Sequence, residues 1–313
     1  MKQGEVIGIG AAAIMAAAFG WIVFRCVTPS THRMPDINAP LSSVTLSNPT
    51  RQLAPINAMK FVDLQTVHFV VTSTPAIGSG HVLGGVVNHH VLAVDLLARF
   101  WAAIAVARPD ATRIVIISPD HYKQGAKPIS VHERTYLTDE GSVFIDVTAT
   151  RLLLKDSNIG EENGAMFENE HGIGALVPFL HHVLPQAQIV PIAIRGNSDV
   201  GSVIRLGQEL KKIIDPHTLV IVSSDMSHYL DEQTALNNDK TTEGWFKTRD
   251  QAAMEKATDR NTDNGLGFAA LFEVVRGQNV SFTRLDHSIS TRYNGPKDNT
   301  TSYLTGVWSA PGS

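Results

Sequence analysis

The stretches Ile114–Ile117 and Leu219–Val222 contain no polar residue, and each runs into serine, then an acid, then a histidine. A strand with one wet face alternates apolar and polar residues, whereas an unbroken apolar run marks a strand buried on both faces. Strands of that kind need helices above and below them. The chain is therefore expected to be α/β, with a central, mostly parallel sheet and helices on both faces. Strands are predicted over Val67–Thr72, His81–Val87, Arg113–Ser118, Gln188–Ile194, Thr218–Ser223, Val280–Leu285 and Thr301–Ser309. Helical spacing of apolar residues falls over His90–Arg108, Ile173–Leu184, Val200–Ile214, Phe246–Ala257 and Leu266–Arg276.

The N-terminus follows a different rule. Val6 to Phe24 is an uncharged Ala/Gly/Ile-rich run, close to the roughly 20 residues that a membrane-crossing helix needs. No small-x-small cleavage site follows it, so an uncleaved single-pass anchor over residues 1–27 is favoured over a removed signal. Lys2 on one side and Arg25 and Arg33 on the other leave its orientation undetermined. Residues 28–58, rich in Pro, Ser, Thr and Asn, read as a flexible linker, and residues 59–313 as the globular domain. With 26 basic against 30 acidic residues and no basic run, nucleic acid is excluded as a partner. The expected partners are the membrane, through the N-terminal helix, and an unidentified small molecule or protein. The single cysteine, Cys26, ends the apolar run, so the domain has neither a disulfide nor a thiolate ligand.

Ligands of open α/β sheets collect outside the carboxyl ends of the strands, and three histidine motifs are placed there. They are Asn88-His89-His90, Ser118-Pro119-Asp120-His121 and Ser223-Ser224-Asp225-Met226-Ser227-His228. Imidazole is the commonest metal ligand and the usual acid–base group near neutral pH. His90 competes with its neighbour His89 for the site. Asp120 is placed to orient an imidazole, and Asp225 with His228 reads as a carboxylate–histidine pair sharing one face of a helical turn. Ser223 and Ser224 read best as helix N-caps. Glu170-His171 precedes an apolar helix, where a capping carboxylate rivals a functional one. No Gly-x-Gly-x-x-Gly or Walker-type loop follows a strand, which leaves a nucleotide site without support.

Taken in order, these motifs resemble the MEMO family, also called AmmeMemoRadiSam system protein B. The resemblance is carried by Asn88-His89, Ile117-Ser118-Pro119-Asp120-His121, Glu170-His171-Gly172-Ile173 and Val222-Ser223-Ser224-Asp225-Met226-Ser227-His228. Asn299-Thr300-Thr301-Ser302-Tyr303-Leu304-Thr305-Gly306 looks like the family's last strand. Most of residues 81 to 308 are spanned; the apolar run and linker lie outside. The resemblance implies a fold similar to class III extradiol ring-cleaving dioxygenases, which use non-haem Fe(II). It implies His89 and His121 as metal ligands and His228 with Asp225 as catalytic residues; His171, expected to line the pocket, is counted with the catalytic residues.

The family's third ligand, a cysteine, is missing. Asp263-Asn264-Gly265-Leu266-Gly267-Phe268 stands in its place, so Asp263 reads equally as a substitute ligand and as a turn or capping residue. As a ligand it would complete a two-histidine, one-carboxylate set of the kind that suits Fe(II). The expected cofactor is accordingly a divalent metal, Fe(II) first, with copper or zinc as alternatives. The expected function is redox or dioxygenase-type chemistry at the membrane. The rivals are a non-catalytic ligand- or protein-binding scaffold and a metal-assisted hydrolase.

Overall fold

A computed structural model describes residues 54–312 other than 64–66, 68–74 and 156–157. The run Val6–Phe24, the linker up to residue 53 and the strand expected over Val67–Thr72, apart from Val67, lie outside the described residues. Among the described residues no helix is long and apolar enough to cross a membrane.

The strands are β1 (Ile56–Asn57), β2 (His81–Val87), β3 (Arg113–Pro119), β4 (Ile129–Val131), β5 (Tyr136–Thr138) and β6 (Gly141–Val143). They continue with β7 (Gly160–Glu162), β8 (Gln188–Ile194), β9 (Thr218–Ser223), β10 (His228–Leu230), β11 (Ser281–Ile289) and β12 (Thr300–Ala310). The helices are α1 (Val94–Ala107), α2 (Val147–Leu153), α3 (His171–Gly174), α4 (Val177–Val183), α5 (Val200–Lys211), α6 (Glu232–Thr248), α7 (Gln251–Met254) and α8 (Gly265–Val274).

Among the described residues nine strands form the main sheet, in the order β10-β12-β2-β9-β3-β8-β4-β7, with β11 also paired to β12. Its centre, β2-β9-β3-β8, is parallel throughout. Its flanks are not: β12 runs antiparallel to β2, β10 and β11, and β4 runs antiparallel to β8. The sheet is therefore mixed: parallel at its centre, where the apolar runs predicted it, and again between the short edge strands β4 and β7, which no run announced. Antiparallel strands can close with short connections, and no local pattern announces them.

Both faces of the central strands are buried, as the unbroken runs require. Ile114, Ile116, Leu219 and Ile221 join the core that holds Leu97, Phe100 and Trp101 of α1. Val115, Ile117, Val220 and Val222 join the opposite core, with Val203 and Leu206 of α5 and Phe268 and Leu271 of α8. The second sheet, β1-β5-β6, reaches back to the residues read as linker: Ile56 pairs with Tyr136, and Ile56 and Ala58 are both buried.

The largest departure from the predicted elements concerns Phe246–Ala257, expected as one helix. A longer helix, α6, ends there at Thr248, and only the short α7 follows. The helix over Ile173–Leu184 is likewise divided into α3 and α4.

Candidate metal centre

Because β2, β9 and β3 are parallel neighbours, their carboxyl ends deliver His89, Asp225 and His121 to one place. Asp263 arrives from the turn before α8, and that turn is anchored by its neighbour. The Asn264 side chain donates to the carbonyls of Ile117 and Ser223, at the ends of β3 and β9, and accepts from Gly267 as the N-cap of α8. Capping thus falls to Asn264, which leaves the Asp263 carboxylate for the site.

Three lone-pair atoms converge. His89 Nε2 stands 3.1 Å from His121 Nε2 and 3.2 Å from Asp263 Oδ2, and His121 Nε2 is 3.6 Å from the same oxygen. Ligand atoms about 2.1 Å from a common ion stand about 3.0 Å apart at right angles and about 3.6 Å apart at 120°. The triangle has the dimensions of three positions around one cation.

The far side of each ring fixes its tautomer. Ser223 Oγ donates its only proton to the Gly172 carbonyl, so its 3.0 Å contact with His89 Nδ1 makes that nitrogen the donor. Glu170 Oε1 can only accept from His121 Nδ1, at 2.6 Å. Neutral rings with protonated Nδ1 point bare Nε2 atoms at each other and at a carboxylate oxygen. That arrangement is repulsive until a cation occupies it. Ser224 Oγ, donating to Asp263 Oδ1 at 2.8 Å, turns the other carboxylate oxygen inward.

The protonation preferences tell the same story. Burial alone would depress His89, but the Asp225 and Asp263 carboxylates outweigh it and raise its pKa. Burial is likewise overcome at His121, which Asp263 and Glu170 push up to about 10. The two imidazoles in turn hold Asp263 well below the usual carboxylate range despite its burial. Glu170 is lowered against its burial by His121 and by the Gly172 N–H. His171, partly desolvated and beside two other imidazoles, falls to about 4. Its ring centroid lies 4.0 Å from that of His121 and 5.1 Å from that of His89. Among the described residues two overlapping groups could hold a metal ion, His89–His121–His171 and His89–Asp225–Asp263.

The centre floors a cavity of 630 Å³ that His228, Asp225 and His171 also line. Asp225 is not in a helical turn. Its Oδ1 accepts from the backbone N–H of His89 at 3.2 Å and of His90 at 3.4 Å, which secures the turn carrying His89. Its Oδ2 is 4.0 Å from His228 Nε2, beyond hydrogen-bond reach, and the His228 ring is oriented instead by Nδ1 donating to the Met226 carbonyl at 2.7 Å. His90 turns away toward the Tyr303 hydroxyl, 3.0 Å from its Nδ1, so His89 is the one of the pair that faces His121 and Asp263.

Other orienting residues also differ from expectation. Asp120 accepts from the backbone of Gln124 and Gly125 and touches no imidazole. Glu170 takes that role while also capping α3 through Gly172, so the two readings of Glu170 are both realised. Ser223 and Ser224 cap no helix; they hold His89 and Asp263. Gly172 is required by close approach, since a Cβ there would collide with Ser118 Oγ and crowd His121.

Fold and site together describe an α/β protein with a histidine–carboxylate group suited to a metal ion at the carboxyl edge of its sheet. A family model described as Memo-like protein matches residues 90–307. A MEMO1 family protein of Thermotoga petrophila is 26% identical over 211 residues, covering 66% of this chain and 76% of its own length. One from Pyrobaculum arsenaticum is 26% identical over 233 residues, covering 71% and 82%. Among solved structures, uncharacterized protein JW3007 from Escherichia coli K12 aligns with a TM-score of 0.48 at 15% identity, over 72% of this chain and 99% of that one. The chain belongs to the Memo-like family.

Proposed function

We propose that this chain is a metal-dependent protein in which His89, His121 and Asp263 hold a divalent cation, iron(II) in the first place, for redox or dioxygenase-type chemistry on a small molecule. The observation that carries the reading is the triangle of three inward lone pairs, two of them fixed by Ser223 and Glu170. Two imidazoles and one carboxylate suit iron(II), and zinc or copper would find the same donors acceptable. Bound there, iron would supply redox and Lewis-acid chemistry.

The chain's own groups provide the rest. His228, with Nδ1 committed to Met226, presents an unprotonated Nε2 to the cavity when neutral, and there it takes or returns a proton. His171 is held neutral and lines the cavity as an uncharged wall. Asp225 fixes the backbone of His89. The apolar run Val6–Phe24 is proposed, on sequence alone, to tether this domain to a membrane.

The full chain, purified without oxygen, should retain a first-row metal at one equivalent, measured by elemental analysis. A His89→Ala, His121→Ala double variant should retain none; metal content equal to the parent's would end the assignment.

A further inference from the structure

A buried carboxylate outside the metal triangle is left unused by this reading. Asp239, on α6, is 2% exposed. Its Oδ1 accepts from Ser227 Oγ at 2.7 Å and Ser302 Oγ at 2.8 Å, and its Oδ2 accepts from His287 Nε2 at 2.7 Å. One side chain therefore joins α6, the segment after β9, β12 and β11. A carboxylate is costly to bury, and an apolar side chain of similar size commonly serves stability as well or better. What Asp239 adds is direction, because its three donors can satisfy it in only one arrangement.

That arrangement ends at His228. Ser227 is the residue before it, and Ser302 grips the same segment through the backbone: Ser302 N donates to Ser227 O and Met226 N to Ser302 O, each at 2.9 Å. The Met226 carbonyl held in this way is the acceptor for His228 Nδ1. On the other side His228 N donates to Asp259 O at 2.7 Å, and the next residue, Tyr229, has φ of 58°, a left-handed conformation costly for a bulky side chain. A backbone bent so sharply beside the ring needs external bonds to hold it.

We propose that Asp239, with His287 as its partner, is a positioning residue that locks Met226–His228 so that the His228 ring stays in the Nδ1–H form with Nε2 facing the cavity. This rests on the reading of His228 as the cavity's acid–base group. It concerns no metal ligand.

The test is the tautomer of each histidine, read by long-range nitrogen–proton spectra of the full chain labelled with nitrogen-15 histidine, without metal. The parent should show His228 as Nδ1–H and His287 as Nε2–H. In Asp239→Ala, His228 should lose the single-tautomer pattern and move toward averaged nitrogen shifts, while the buried His132 keeps its own pattern and reports an intact fold. Asp239→Asn, which retains an acceptor for the two hydroxyls, should restore the parental His228 shifts. Should Asp239→Ala fail to fold, Ser227→Ala and Ser302→Ala cut the same link singly and should shift His228 in the same direction. An unchanged His228 in the folded variants would overturn the proposal. Cobalt(II) titration of the parent separates the two readings: no binding would end the metal assignment and leave the His228 result standing.

Discussion

His121, largely buried, and His132, fully buried, are both imidazoles with partners at both ring nitrogens, and they are opposite in character. His121 has carboxylates on its two sides, Glu170 at Nδ1 and Asp263 near Nε2, and is pushed up to about 10 despite its burial. His132 has none. Its Nδ1 accepts the Arg134 N–H at 3.0 Å, its Nε2 meets the Tyr136 hydroxyl at 3.1 Å, and burial followed by the Arg134 charge lowers it to about 3. Burial alone makes a histidine a neutral structural hydrogen-bonder. Burial with convergent carboxylates makes a place for a cation, and the proton is only the cation available when no metal is bound.

The two rings therefore answer pH in opposite senses. The folded pKa of His132 lies below its usual 6.5, so unfolding takes up a proton. Its contribution to stability is complete above about pH 6.5 and is lost as pH falls toward 3. The folded pKa of His121 lies above 6.5, so in the metal-free protein its contribution is complete below that value and is lost as pH rises through about 10. The two shifts are equal in size and opposite in sign, each of the order of a few kcal/mol since one pKa unit is worth about 1.4 kcal/mol, and the acid limb set by His132 is the one to test first. Urea unfolding at a series of pH values should show the parent losing stability below pH 6.5. A His132→Phe variant, less stable at neutral pH because the Arg134 N–H loses its acceptor, should have a shallower acid limb. Parallel limbs for the two proteins would break the contrast.

Next in size is the removal of one carboxylate from the His121 side. Asp263→Asn keeps the shape, and Ser224 can still bond the retained side-chain oxygen, but the charge facing both Nε2 atoms is gone. Affinity for zinc or iron(II), measured against a chromophoric chelator, should fall by more than about 100-fold, above the range seen when only an orienting partner of a ligand is lost. An unchanged affinity would mean that Asp263 is not a ligand, and the His89–His121–His171 group would then be the centre.

How much of this contrast could be read from residues alone depends on distance along the chain. His89 and His121 could be placed together because strand ends are local signals, and the apolar runs before two of the motifs marked the parallel core; Asp263 entered only through the resemblance, where it read equally as a ligand and as a turn or capping residue. The partners that give each ring its character were not legible. Glu170 reaches His121 from a helix start far along the chain, and Ser223 meets His89 only because β9 lies beside β2. Helix α6 was hidden for another reason. Its buried positions, Ala235, Asp239, Thr242 and Phe246, keep helical spacing, but two of the four are polar and carry no hydrophobic signal. The antiparallel flanks left no mark because a strand's own residues do not name its partner.

The smallest effect tests the other carboxylate. Glu170 does not touch the cation position; it accepts from His121 Nδ1, from the His121 backbone N–H at 3.1 Å and from the Gly172 N–H at 2.8 Å. In Glu170→Gln the one remaining oxygen can take the place of Oε1, accepting from the ring and from Gly172 N–H, or of Oε2, accepting from the His121 backbone N–H, and in either case the charge that assists the bond to the ring is gone. Loss of an orienting partner of this kind typically costs 10- to 100-fold in metal affinity, so a fall of about 10-fold is expected with the fold intact, visible in the same chelator competition. The pH dependence of binding supplies the discriminating readout. With its carboxylate partner neutralised, His121 should hold its proton less tightly, so metal binding should release fewer protons in weakly buffered solution near pH 8. An unaltered proton release would show that Asp263 alone raises His121, and the contrast with His132 would then rest on one carboxylate instead of two.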